Sequence, residues 1–158
     1  MSKFVKLNHR YGVLEYPVTL KEMEEISKEF PKTERKFYEY AFKTLRKVMK
    51  ENENIYRFDV ADPSLTKTGF IVVGENNLYL VSMKGGLFGG ADVETVKYAD
   101  VREVDFDIIP SPGVMQGGVL YIKTKGLIGN KKRTIRNISE HDIDMIVKTI
   151  RERASVKA

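Results

Sequence analysis

The chain has no cysteine and no tryptophan, only 2 histidines, and 5 prolines in 158 residues. Without cysteine there is no disulfide, no thiol nucleophile and no thiolate-held zinc, and the composition fits a reducing compartment. Long apolar runs are missing too. Met1-Ser-Lys-Phe-Val-Lys-Leu-Asn-His-Arg breaks its apolar residues with Lys3 and Lys6, and no stretch reaches the length that a signal core or a spanning helix needs. A cytoplasmic protein is expected. His9 sits in a segment without periodicity and His141 at the start of the last predicted helix, so neither offers a metal site or a proton relay, and no cofactor is expected.

What is present suffices for a core: 42% of residues are hydrophobic and 31% charged, the balance of a soluble globular chain. Lys plus Arg number 27 against 22 Asp plus Glu, a net +5. That excess permits weak attraction to phosphate, but a dedicated nucleic-acid binder concentrates far more charge on one face, so no specific nucleic acid is expected.

The first third reads as helical. Thr19 can cap a helix, Glu22 can return the hydrogen bond, and Leu20, Met23 and Ile26 recur at helical spacing up to a break at Pro31. A second helix from Lys32 to about Asn52 places Phe37, Ala41, Leu45 and Val48 on one stripe, with Tyr38, Phe42 and Met49 beside it. From Asn54 the period becomes two. Tyr56 to Val60 is a strand, residues 61–64 a turn, Gly69 to Val73 a second strand and Leu78 to Met83 a third, with Glu75-Asn76-Asn77 as the hairpin signal between them. Further strands follow at Asp92 to Tyr98, Val101 to Ile109, Val119 to Lys125 and Lys131 to Ile138. Ser139 then caps a final helix with Ile143, Ile146, Val147 and Ile150 on its apolar stripe. The order predicts an α+β protein: a seven-stranded antiparallel bent sheet or partly open barrel capped by the C-terminal helix and preceded by a helical hairpin.

Gly69-Phe-Ile-Val-Val-Gly-Glu-Asn-Asn-Leu-Tyr-Leu-Val, then Lys84-Gly-Gly-Leu-Phe-Gly-Gly, then Glu94-Thr-Val-Lys-Tyr-Ala-Asp-Val-Arg-Glu-Val resembles the bacterial pleckstrin-homology-like (PH-like) domains of the YokE type. The likeness spans roughly residues 54 to 154. It suggests an N-terminal helical extension over residues 1–53 and a PH-like domain over 54–158. The resemblance implies a barrel used for binding, not catalysis, with the Leu87-Phe88 tip and the hairpin near residue 128 at the same open end. Some members of the wider group hold phosphoinositides through basic residues on the first inter-strand loop. Here Ala61 to Thr68 offers only Lys67 against Asp62.

Three patterns invite chemistry. Ser139, His141 and Asp142 have the residue types of a hydrolase triad, but neighbours this close on a helix point to different faces and cannot converge on one atom. Glu103, Asp105 and Asp107 line the outer face of one strand. They form a stripe rather than a cup, and Lys123 and Lys125 can lie across from it as cross-strand ion pairs. Gly85 to Gly90 is glycine-rich, but a strand follows where phosphate loops require a helix, so it reads as a hairpin tip.

Charge is the most informative asymmetry. Between Gly118 and Ile138 the chain carries Lys123, Lys125, Lys131, Lys132, Arg133 and Arg136 with no acid, around a tip Gly126-Leu127-Ile128-Gly129-Asn130. Apolar residues at a turn are unusual, because solvent-facing turns are normally polar. Leu127 and Ile128 either fold inward or project, and if they project beside the basic rim, with Leu87 and Phe88 alongside, they could dock on an anionic membrane. The aromatic residues Phe37, Tyr38, Tyr40 and Phe42 likewise either cover the barrel or make an interface. The leading expectation is a non-catalytic adaptor binding a protein partner or a second copy. Weak anionic membrane contact comes second, and an enzyme using the acidic strand face third.

Overall fold

The run Gly69-Phe-Ile-Val-Val-Gly carries no polar alternation because its strand is covered on both sides. In the computed structural model, which describes residues 10–84, 89–111 and 114–156, it forms β2 (Lys67–Gly74), buried continuously from Gly69 to Gly74. The other strands are β1 (Ile55–Ser64), β3 (Asn77–Met83), β4 (Ala91–Lys97), β5 (Val101–Ser111), β6 (Val114–Lys125) and β7 (Asn130–Ser139). All pair antiparallel in one sheet of order β4-β3-β2-β1-β7-β6-β5. Only Asp62↔Arg136 joins β1 to β7, and at this narrow junction the sheet turns from one layer into the other.

Bending lets the inner faces share a core. Ile71, Leu78, Leu80 and Val96 of the first layer meet Val104, Leu120, Ile122 and Ile135 of the second. The barrel is not closed: β4 and β5 remain unpaired edges. Helix α3 (Ile143–Ala154) plugs one end with Ile143, Ile146, Val147 and Ile150, the stripe its sequence predicts. Arg151 donates to the Val104 carbonyl at 3.1 and 2.7 Å, and Arg153 donates to the Glu75 carbonyl at 2.8 Å while covering the Tyr56 ring.

Outside the barrel lies a second core. Helices α1 (Leu20–Ser27) and α2 (Lys32–Leu45), with Tyr11 and Val18, pack on the outer face of β1 to β3, burying Ile55, Phe58, Phe70, Val72, Tyr79 and Val81. Tyr38 stacks on Phe70 at 4.9 Å, Phe58 on Phe70 at 5.1 Å and Phe42 on Phe58 at 5.8 Å. Tyr38, Phe42 and Phe37 therefore cover the sheet, Phe37 against Phe70 at 5.3 Å, whereas Tyr40 lies beside Gly89. The seam is turned from the expected one: Tyr38, Ala41, Phe42, Leu45 and Met49 are buried, whereas Val48 is 41% exposed. The regular helix ends at Leu45 instead of near Asn52, so positions beyond it do not follow helical spacing.

Other local expectations also shift. Thr19 caps α1 by accepting from the Glu22 N–H at 3.3 Å, while the Glu22 carboxylate accepts from the Thr19 hydroxyl and not from its backbone. The turn expected at residues 61–64 is strand, and the chain reverses at Leu65-Thr66 instead. Ser139 does not cap the last helix. It ends β7, and Asp142 occupies the cap position without a side-chain cap bond, its carboxylate lying 3.4 Å from Arg57.

Candidate functional site at the open end of the barrel

Antiparallel order puts alternate connections at opposite ends of the sheet. The β1–β2, β3–β4 and β6–β7 connections share the end opposite α3. There the β6–β7 turn closes with the Gly126 N–H donating to the Gly129 carbonyl at 2.8 Å. Its central residues project: Leu127 is 106% and Ile128 98% exposed. Leu65, in the neighbouring β1–β2 turn, is 82% exposed. Sequence reasoning missed Leu65 because it placed that turn too early; the available signal was an apolar residue between Ser64 and Thr66. Leu87 and Phe88 lie outside the described residues.

Strand register divides the basic residues into three groups. On the outer face Lys123 stands opposite Glu103, with Nζ 3.1 Å from its carboxylate, and Lys132 Nζ sits 4.4 Å over the Tyr121 ring. Arg133 points the other way, toward the barrel mouth. It holds Glu94 of β4 at 2.7 and 3.3 Å and also bonds Thr124, so it ties β7 to β4 across the opening. These bonds hold the Glu94 carboxyl below its usual range. Lys125 and Lys131, flanking the tip, are exposed and make no ion pair among the described residues. Arg133 also lines a mouth cavity of about 280 Å³ with Leu80, Ser82, Asp92 and Glu94.

Glu103 is paired with Lys123, and Asp105 accepts from the Phe106 N–H at 2.8 Å. Among the described residues no group of three or more histidines and carboxylates could hold a metal ion. His141 is exposed in the turn before α3, and Ser139 and Asp142 do not converge with it.

One charged cluster is buried at the other end, and its residues were not singled out from the sequence. Arg57 of β1 donates to Asp59 at 3.0 and 2.6 Å and to the Gly12 carbonyl at 3.3 Å, and it lies 3.4 Å from Asp142. Burial pushes the Asp59 carboxyl up to about 6, against the pull of Arg57 and with a further push from Asp142. Arg57 and Asp59 alternate with Phe58 and Val60 along β1, and the segment near Gly12 and Tyr16 covers them.

An open seven-stranded antiparallel barrel, plugged at one end by its C-terminal helix and bearing its loops at the other, defines a PH-like binding domain. The chain belongs to the bacterial PH domain family, whose model matches residues 49–152. It is similar, at 54% identity over 155 residues, to the SPbeta prophage-derived uncharacterized protein YokE of Bacillus subtilis strain 168, with 96% of this chain and 97% of that protein covered. No solved structure matches. PH domains are generally non-catalytic and commonly mediate protein or lipid interactions. Among the described residues no helix is long and apolar enough to cross a membrane.

Proposed function

We propose that this protein is a non-catalytic cytoplasmic binding module that docks its open end on an anionic lipid surface. The full exposure of Leu127 and Ile128 carries this reading. Two large aliphatic side chains at a turn have no structural work to do in water, while burying each in an apolar medium is worth about 1.5–3 kcal/mol. Lys125 and Lys131 bracket the tip without a close ion pair among the described residues, Lys131 acting on Glu94 only through space, and each cation near an anionic surface adds about 1 kcal/mol. Leu65 gives the same end a second apolar contact. A protein partner or a second copy is the competing occupant, and unpaired lysines around the tip favour the lipid.

Cosedimentation with phosphatidylglycerol and phosphatidylcholine vesicles over a salt series tests the reading. Binding to the anionic vesicles alone, weakening as salt rises, is the expected result. Replacing Leu127 and Ile128 together with Ser abolishes binding while shifting stability by less than about 0.5 kcal/mol, as expected for exposed positions. No binding to anionic vesicles at low salt overturns the lipid reading and transfers the exposed end to a protein partner.

A further inference from the structure

The base of the β3–β4 connection lies against the last turns of α2, and the two enclose a pocket of about 270 Å³. Tyr40 and Lys43 line it from the helix and Lys47 from the turn that follows, with Lys84, Gly89 and Gly90 opposite. The scaffold is held on both sides: the Thr44 hydroxyl donates to the Ala91 carbonyl at 3.1 Å, and the Lys84 N–H donates to the Gly90 carbonyl at 2.9 Å. Gly89 has φ +53, the left-handed region that favours glycine, and a Cβ there would lie 2.7 Å from the Tyr40 hydroxyl.

Among the described residues the pocket lining carries three ammonium groups and no carboxylate, in a chain with 22 acidic residues. Lys84 reaches Asp92 at 3.2 Å, beyond the lining. Lys43, in the last turn of α2, and Lys47, two residues past its end, make no ion pair among the described residues, and like charges lining one pocket repel unless a counter-charge is supplied. Lysine at a helix C-terminus also complements the helix dipole, but that accounts for neither Lys84 nor the glycine wall facing it. The visible trace in the sequence was the pair of lysines, Lys43 and Lys47, within the segment read as the second helix.

We infer that this pocket binds a phosphate group carrying a double negative charge, as a phosphomonoester or a diphosphate. Lysines act as point charges suited to a tetrahedral dianion, whereas planar carboxylates are better matched by arginine forks. The Tyr40 hydroxyl can donate a further hydrogen bond. The volume lies near the lower limit of small-molecule sites, about 300 Å³, and suits a phosphoryl group with a small substituent. Tyr40, Lys43 and Lys47 precede residue 49, where the family match begins, so the pocket is an addition of the N-terminal segment. The inference does not depend on docking through the β6–β7 tip.

Titration of the full-length protein with pyrophosphate and inorganic phosphate at fixed ionic strength, followed by amide chemical shifts, tests it. Saturable shifts at Lys84, Gly89, Gly90 and Ala91 are expected, with affinity at least tenfold lower in Lys43→Ala/Lys47→Ala. Thermal unfolding of that variant should match the parent, since both side chains are exposed. Gly89→Ala should weaken binding comparably, while Leu127→Ser/Ile128→Ser should bind pyrophosphate normally, which separates this site from the docking end. Vesicles of phosphatidic acid and of phosphatidylglycerol, matched in surface charge, identify the source: selective phosphatidic acid binding that needs Lys43 and Lys47 assigns a lipid headgroup, and equal binding assigns a soluble phosphate compound. Shifts spread over all lysine-bearing surfaces, or undiminished by the double substitution, overturn the proposal.

Discussion

Asp59 is the residue at which burial and pairing compete most directly. Its carboxylate takes both forks of Arg57, yet it is buried, and the net effect raises its pKa to about 6 from 3.8. A carboxyl that binds its proton more tightly when folded stabilises the fold below its unfolded value, and this contribution is lost as pH rises. Unfolding free energy should therefore contain a component that falls between about pH 4 and 6 and is level above that window. Carboxyl carbon chemical shifts should place the Asp59 midpoint near 6, and a midpoint near 4 would show that Arg57 outweighs burial. At pH 7 Asp59→Ala leaves Arg57 facing only the more distant Asp142, and breaking a buried pair in this way costs about 3–5 kcal/mol in denaturant unfolding. None of this was legible from composition. Alternation sets Arg57 and Asp59 opposite Phe58 and Val60, but the residues that cover them come from a segment more than 40 positions away in sequence.

Elements were read most reliably where one face is buried and one is wet. α3 matches its pattern because Ile143 to Ile150 meet a single core, and β5 does so at Val104 and Phe106 but not at Ile108, the next residue on that face, which is 42% exposed. α2 was harder. Its apolar and aromatic residues cover more than half of the helix circumference, and the seam is settled by which aromatic rings the sheet can receive, a tertiary property. The edge of β5 shows another device invisible to periodicity: Arg151 occupies the Val104 carbonyl and Asp105 the Phe106 N–H, so two outward groups are already taken where another strand would pair. β2 depends on close approach. A Cβ at Gly69 would fall 1.7 Å from the Val81 carbonyl oxygen in the adjacent strand, and backbone cannot retreat without breaking the ladder. Gly69→Ala should lose about 3 kcal/mol or more by thermal or denaturant unfolding, in the upper range of single substitutions. A loss under about 1 kcal/mol would mean that β2 and β3 separate more readily than their register implies.

At the scale of the whole molecule, β1 to β3 serve two cores at once: Ile71, Val73, Leu78 and Leu80 face the barrel interior, while Phe58, Phe70, Val72, Tyr79 and Val81 face the N-terminal helices. The change of period near residue 54 reveals where helices give way to strands, but it carries no information about whether the two parts can exist apart. The buried faces argue that they cannot. Removing residues 1–53 would bare an aromatic sheet face, well beyond the scattered apolar exposure that a soluble monomer tolerates. It would also take away the Gly12 carbonyl that accepts from Arg57 and the Val18–Ile55 bridge. The full chain should accordingly unfold in one cooperative transition, with near-ultraviolet signals of its tyrosines and backbone signals coinciding. The fragment 54–158 should be aggregated or bind a hydrophobic dye strongly, and Tyr38→Ala in the full chain should cost about 3–5 kcal/mol, as large-to-small changes of buried aromatics do. A soluble, cooperatively folding 54–158 fragment would instead establish the barrel as an independent domain and reduce the helices to an appendage. That outcome would also move the Lys43–Lys47 pocket from the fold proper to a detachable accessory.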